Sequence, residues 1–343
     1  MKYFSPLIVL LFVLCTRDGH AGQSTPRPVV APHRIVLLVD EIKAIRSFPV
    51  VLAERLGYLS SPDMQVTVMN IRDDVSSTDM LSDGRVDAVM AYYHHTIVAQ
   101  SEGRDEEAIV TLGVTPGVKV MVGNTVKEKF KVLSDLKGSR IITGGAGSSK
   151  TTVANYLVIA GGNRISEYTR LGADGKDANV EALRNGSADF VVAPTPDGSF
   201  YESQGVATVF ADLTSVEATQ KYLGTLFPSS AVYMDSRRVK AHPEIAQFLA
   251  AAFVRTLSYI NAHTPEEIAA VIPDAIGGKD RNAYLKILKE EIPMFATDGR
   301  TPAAAAEKEW RVLSEFNPAL KPINLSRTFT NEFVDRALRR GRQ

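Results

Sequence analysis

The chain of 343 residues is poor in several things. It has a single cysteine, Cys15, which excludes an intramolecular disulfide and a cysteine-based zinc site. No charge sign is in excess, because 39 Lys and Arg face 39 Asp and Glu. The basic stripe that marks a nucleic-acid binder is missing. No segment stays apolar over the roughly 20 residues that a membrane-spanning helix needs. G-x-S-x-G and H-E-x-x-H do not occur, so two common hydrolase signatures are absent. What is present is a globular balance, 45% hydrophobic and 23% charged. The length holds about two domains.

The N-terminus carries its own pattern. Lys2 is followed by an apolar run of eight residues, Leu7 to Leu14, far short of a bilayer span. A polar stretch then ends at Gly19-His20-Ala21, with small residues first and third. This order predicts a signal peptide over 1–21, cleaved after Ala21, and a periplasmic destination. A frayed apolar N-terminus on a cytoplasmic protein is the plain alternative. Lipid attachment at Cys15 is disfavoured, because Leu14 stands where a small residue is wanted. Cleavage takes Cys15 with it and leaves an exported chain without a thiol. Residues 22–33 are polar and proline-rich and read as a flexible lead-in.

Short apolar runs then alternate with helix-length segments. Strands are predicted at Ile35–Val39, Gln65–Val68, Asp87–Ala91 and Ala108–Leu112, with a helix from Phe48 to about Gly57 capped by Ser47. The pattern restarts with strands at Val120–Val122, Arg140–Ile142, Phe190–Ala193 and Ala207–Phe210. Among these fall a short helix at Ser134–Leu136, a helix opening at Ser148 and another over Asn179–Arg184. Ala231–Tyr233 reads as a return strand. A long helix starts at His242-Pro243-Glu244, with its apolar stripe running from Ile245 to Ile260. Thr264-Pro265-Glu266-Glu267 is a capping box with proline in the first turn. Helices at Tyr284–Ile292, Pro302–Phe316 and Asn331–Arg339 complete the chain. Strands separated by helices of about ten residues predict parallel α/β sheets, and two such runs predict two lobes. No long internal repeat is visible.

The order and wording of these segments resemble the periplasmic solute-binding proteins of ABC importers. The nearest group is the receptors for sulfonates, taurine, nitrate and thiamine-pyrimidine precursors. The resemblance is carried by VVLAERLGYL (50–59), DAVMAYYHHTIVAQSEGRD (87–105), SDLKGSRIITGGAGSSKTTVANYLV (134–158), FPSSAVYMDSRRVKAHPEIAQFL (227–249), TPEEIAAVIP (264–273) and TFTNEFVDRA (328–337). It implies the type II two-lobed α/β fold of periplasmic binding proteins, each lobe a mixed sheet flanked by helices. Two hinge crossings would fall near Lys119–Asn124 and Ala231–Asp235. Lobe I would be 34–119 and 237–343, and lobe II 120–236. A small organic anion or heteroaromatic solute would be captured between the lobes of a monomer and handed to an ABC permease in the inner membrane. No cofactor, metal or nucleic acid is expected. Two alternatives share the fold: a periplasmic sensor for a signalling receptor, and a thiamine-pyrimidine-synthesising enzyme that consumes its own residues. The second is associated with a cysteine-rich motif that this chain lacks.

Candidate cleft residues follow from where helices begin. Gly144-Gly145-Ala146-Gly147-Ser148-Ser149-Lys150-Thr151-Thr152 follows a strand and opens a helix. Glycines admit a ligand to the backbone, and unpaired amides at a helix start favour an anion. Ser149 occupies the second-glycine position of a P-loop, so a nucleotide reading fails. Gly147, Ser148, Ser149 and Lys150 are therefore ligand candidates, against plain helix capping with Lys150 in solvent. Lys150 and Ala146 depart from the P-G-S-S-T of the group. Tyr92, Tyr93 and His94 end a strand and offer flat walls with polar tips, against core packing of one tyrosine. Arg46, Ser47 and Phe48 form the matching helix start in lobe I, against a solvated Arg46 and a core Phe48. Thr195 stands where relatives carry Asp, which weakens any transfer of substrate. Phe227 floors the cleft or fills the core. Arg72-Asp73-Asp74 reads as a charged surface turn.

Overall fold

The apolar runs become strands buried on both faces: Ile35, Leu37 and Val39 are wholly buried, as are Ala88, Val89 and Met90. The structure is a computed structural model that describes residues 32–71, 76–145, 148–195, 197–317 and 319–341. The predicted signal peptide, Cys15, most of the lead-in, Arg72, Asp73, Asp74 and Gly147 lie outside the described residues.

The first run comprises β1 (His33–Val39), α1 (Phe48–Arg55), β2 (Met64–Asn70), α2 (Ser77–Ser82), β3 (Ala88–Tyr92), α3 (His94–Ser101) and β4 (Glu106–Gly113). The second comprises β5 (Val118–Gly123), β6 (Arg140–Ile142), α4 (Ser149–Ala160), β7 (Thr169–Leu171), α5 (Lys176–Arg184), β8 (Phe190–Pro194), α6 (Asp197–Ser203), β9 (Ala207–Asp212) and α7 (Val216–Leu223). The chain returns through β10 (Ser230–Asp235) and continues as α8 (Ser236–Ala241), α9 (Pro243–Ala262), α10 (Pro265–Val271), α11 (Asp274–Gly277), α12 (Arg281–Glu291), α13 (Ala303–Phe316) and α14 (Glu332–Arg340).

Two five-stranded mixed sheets result, ordered β2-β1-β3-β10-β4 and β7-β6-β8-β5-β9. They share one plan. In each, three parallel strands are followed by an antiparallel strand that adjoins a crossing: β10 between β3 and β4, and β5 between β8 and β9. The two lobes are thus a structural repeat. The sequence conceals it because a buried strand needs only some apolar residues of fitting size.

One detail of the repeat is polar. Asp87 immediately precedes β3, and Asp189 immediately precedes β8. Asp87 accepts from the Val36 N–H at 2.7 Å, and Asp189 from the Arg140 N–H at 2.7 Å. In return the Asp87 and Asp189 N–H groups donate to the Val36 and Arg140 carbonyls at 3.0 and 2.9 Å. Each carboxylate also meets a guanidinium, of Arg238 and Arg140 respectively. The same clip fixes the same parallel register in both lobes.

The crossings lie at 114–117 and 224–229, side by side. Phe227 N–H donates to the Val114 carbonyl at 2.9 Å and Ser229 N–H to the Gly113 carbonyl at 3.0 Å. Gly113 permits this approach, since a Cβ there would sit 2.3 Å from Ser229 Oγ. Two boundaries differ from the sequence expectation. Ser230–Asp235 pairs into the first sheet, not lobe II, and Val118 and Lys119 pair into the second, not lobe I. Ladder pairing decides membership, and no local signal announces it. β7, only three residues long, was not expected from the sequence either. Helix α13 is shared: Ala306 and Leu313 pack in the first lobe's core and Val312 in the second's. Its Glu309 is wholly buried there, and burial holds that carboxyl well above the usual range.

Replacing Asp87 or Asp189 by alanine leaves buried strand amides without their acceptor. Each variant is expected to lose about 1–3 kcal/mol of stability in denaturant titration, and the double variant the sum, because the two clips lie in separate sheets.

Candidate functional site

The carboxyl ends of the parallel strands of both sheets open onto one cavity of about 680 Å³. That is where ligands sit in open α/β sheets. Lobe I supplies the segment after β1, from Glu41 to Arg46, together with Phe48 and Tyr92. The first crossing supplies Pro116, Gly117 and Val118 as floor. Lobe II supplies Lys176, Pro194, Thr195 and Asp197. The remaining wall, residues 276–287, comes from α11, α12 and their junction.

Arg46 organises the lobe I side. Its Nη2 donates to Asp40 Oδ2 at 3.0 Å and to Glu41 Oε2 at 3.2 Å. Its guanidinium lies 5.0 Å from the centroid of the Tyr92 ring. Burial by itself would lower the Arg46 pKa, but Tyr92, Asp40 and Glu41 outweigh it and the net shift is upward. The cation is therefore permanent and already neutralised. Across the cleft Lys176 pairs with Asp197 at 2.5 Å. Asp280 is engaged in capping α12 through the Ala283 N–H at 3.0 Å. Lys43 and Lys279, both exposed at the rim, make no ion pair among the described residues. The cleft thus carries two uncompensated cations, one from each wall of lobe I.

Behind Tyr92 the rings continue. Tyr92 stacks on His94 with centroids 5.7 Å apart, and His94 meets His95 edge-on at 4.7 Å. Both histidines line a second cavity of about 270 Å³, with Ser77, Thr152 and Phe316. His94 Nδ1 lies 3.8 Å from Glu309. Burial pushes the His95 imidazole down, with Asp40 raising it and Arg46 lowering it, and the net shift is downward. A third cavity of about 170 Å³ adjoins the main one through Lys176, Pro194 and Asp197, and contains Lys150.

Of the predicted residues, Arg46, Phe48, Tyr92 and Thr195 line the main cavity, His94 the second and Lys150 the third. Ser47, Tyr93 and Phe227 are turned into the core. Ser47 is wholly buried with its hydroxyl against Met90 Sδ at 3.7 Å. The Tyr93 hydroxyl is 2.6 Å from Thr328 Oγ1, and Phe227 packs edge-on to Tyr156. Ser148 is the N-cap of α4, its Oγ accepting from Thr151 N–H at 3.2 Å. Neither Ser148 nor Ser149 lines the three cavities. Sequence reasoning missed Lys43, Lys176, Asp197 and the whole 276–287 wall. Gly175 (φ 100°) ahead of α5 was a usable signal for Lys176. Nothing local marks a wall contributed from over two hundred residues away.

Two mixed α/β lobes, joined by paired crossings around a cleft, define the class: the two-lobed binding-protein fold. The chain belongs to the family described as NMT1/THI5 like, whose model matches residues 45–268. A curated relative, 4-amino-5-hydroxymethyl-2-methylpyrimidine phosphate synthase of Legionella pneumophila, is 22% identical over 307 residues, covering 88% of this chain and 92% of that one. Among solved structures, a protein of Bordetella bronchiseptica RB50 superposes with a TM-score of 0.73 at 24% identity, covering 90% of this chain and 98% of that one. A protein described as the putative periplasmic sulfonate-binding protein SsuA of Methylobacillus flagellatus KT superposes with a TM-score of 0.69 at 13% identity, covering 91% and 96%.

Two substitutions separate capping from cleft electrostatics. Ser148→Ala is expected to cost about 1 kcal/mol of stability by loss of the cap, and Ser149→Ala almost nothing, by thermal melts at pH 7. Arg46→Met leaves Asp40 and Glu41 facing each other and is expected to cost about 1.5–3 kcal/mol. Adding Asp40→Asn should return part of that.

Proposed function

We propose that this protein is the extracytoplasmic solute-binding component of an ABC importer. It captures a small organic anion or heteroaromatic solute between its lobes and delivers it to a permease. The observation that carries this reading is the main cavity itself, walled by both lobes and floored by a crossing, so that lobe rotation opens or seals it. The two uncompensated rim lysines favour an anionic group, while Tyr92 and Phe48 favour a flat apolar body. The name of the Methylobacillus relative agrees with an anionic solute. In this reading Arg46, Phe48, Tyr92 and Thr195 face the solute, Lys150 and His94 serve the adjoining cavities, and Ser148 serves the cap of α4. The hinge lies at 114–117 and 224–229, and the chain acts as a monomer in the periplasm after removal of residues 1–21.

A second reading, a synthase, is favoured by the name of the Legionella relative. The two part on whether the bound molecule and the protein come through unchanged.

Screening sulfonates, nitrate, dicarboxylates and thiamine-pyrimidine precursors by thermal shift tests the first reading. A true ligand at about 100 times its dissociation constant should stabilise the fold by about 2.7 kcal/mol. Intact-mass measurement of protein and ligand after incubation should show both unaltered. Loss of mass from the chain would give the synthase reading instead.

A further inference from the structure

The third cavity is a side chamber of the main one, on the lobe II side. It holds about 170 Å³ and shares Lys176, Pro194 and Asp197 with its larger neighbour. That is below the roughly 300 Å³ at which pockets for whole organic ligands begin, so it fits an end group rather than a solute. Its back is apolar, formed by Ile142 at the end of β6 and by Val191, Val192 and Ala193 of β8. Charge interactions made against such a wall are less weakened by water.

The polar groups of the chamber are mostly donors. Lys150, from the first turn of α4, and Lys176, from the first turn of α5, both line it, and Asp197 is the one carboxylate among its lining residues. Lys176 pairs with that carboxylate at 2.5 Å. Lys150 is partly buried and makes no ion pair among the described residues. Its own helix does not compensate it, since a positive charge in the first turn meets the positive end of the helix dipole. The Lys150 side chain lies over the end of β6: a Cβ on Gly144, where φ is 106°, would stand 3.9 Å from Lys150 Cε. The Arg170 guanidinium donates to the Gly144 carbonyl and brings a further cation beside the chamber. Tyr201, from α6, lines the chamber as a buried ring whose hydroxyl accepts from Asn179 Nδ2 at 3.1 Å. A phenol has one hydrogen to give, and no acceptor for it stands among the described residues.

We propose that this chamber is the acid-binding end of the solute site and takes a carboxylate, sulfonate or phosphate group carried by the solute. Lys150 supplies the charge, Tyr201 a hydrogen bond, and Lys176 joins when Asp197 gives it up. An acid head has several acceptor oxygens and matches donors that converge from three helices. The assignment rests on the capture reading for the rest of the solute, whose body lies in the main cavity against Tyr92 and Phe48. Lobe II then holds the acid and lobe I the body, so the solute makes all its contacts only with the lobes closed on it. Asp197 is the chamber's built-in competitor, and Lys150 is the residue that selects an acid over its neutral analogue.

The test uses sulfate and phosphate ions as probes, with sodium chloride balancing ionic strength, and follows backbone amide resonances by NMR. In wild type, sulfate, phosphate or both should shift Gly144, Gly175 and Lys176 saturably, and chloride should not. Lys150→Met should weaken that binding by at least about tenfold, with a thermal melt to show that the variant folds; Lys150→Gln takes its place if it does not. Asp197→Asn should strengthen binding about threefold, the scale of a part-exposed ion pair. Lys43→Met combined with Lys279→Met should leave it within about twofold, because screening weakens charges at the rim. Shifts that chloride reproduces, an adventitious ion only, overturn the chamber. So does a Lys150 variant that binds like wild type, or a rim double variant that loses as much. Ion binding here with no organic solute found by the thermal-shift screen keeps the chamber and overturns the capture reading. An organic acid bound equally by wild type and Lys150→Met keeps the capture reading and overturns the chamber.

Discussion

The fold depends on one constraint: each sheet takes an antiparallel strand that adjoins a crossing. β10 sits between β3 and β4, and β5 between β8 and β9. Neither lobe's sheet is complete until the chain has crossed. The crossings are then pinned to each other by the Phe227–Val114 and Ser229–Gly113 hydrogen bonds. A cleft above them follows, because the strands' carboxyl ends from both sheets face the same gap.

Charge is arranged around that gap in two ways. Cations at the cleft wall are neutralised locally, Arg46 by Asp40 and Glu41, and Lys176 by Asp197. That leaves Lys43 and Lys279 to set the field at the cleft rim. Two acids are instead buried with little compensation: Glu291 at the end of α12 and Glu309 within α13. Burial of a carboxyl favours its neutral form, and both are held above the usual carboxylate range.

Much of this was legible in the chain. Continuous apolar runs such as Ile35–Val39 and Phe190–Ala193 announce doubly buried strands, because their two faces must both meet helices. The Thr264 capping box appears as expected, with Thr264 Oγ1 and Glu267 exchanging backbone N–H groups. Arg46 was read from its place before the helix that opens at Phe48, and Tyr92 from its place at a strand's end; both line the main cavity. Tyr93 and Phe227 were not separable from cleft residues, since an aromatic beside a strand end can turn either way and only packing decides which. Ser148 read as an anion donor, but its hydroxyl is committed to the cap of α4.

The sequence by itself determined the class of fold, most of the long strands and helices and the absence of a cysteine framework, because hydrophobic period and capping chemistry act over a few residues. Tertiary structure alone decided which sheet β10 joins, that the lobes repeat one plan around Asp87 and Asp189, and that residues 276–287 wall the main cavity. Those outcomes depend on strand pairing and burial between residues far apart in the chain, and no local pattern encodes a contact whose partner lies on the other lobe.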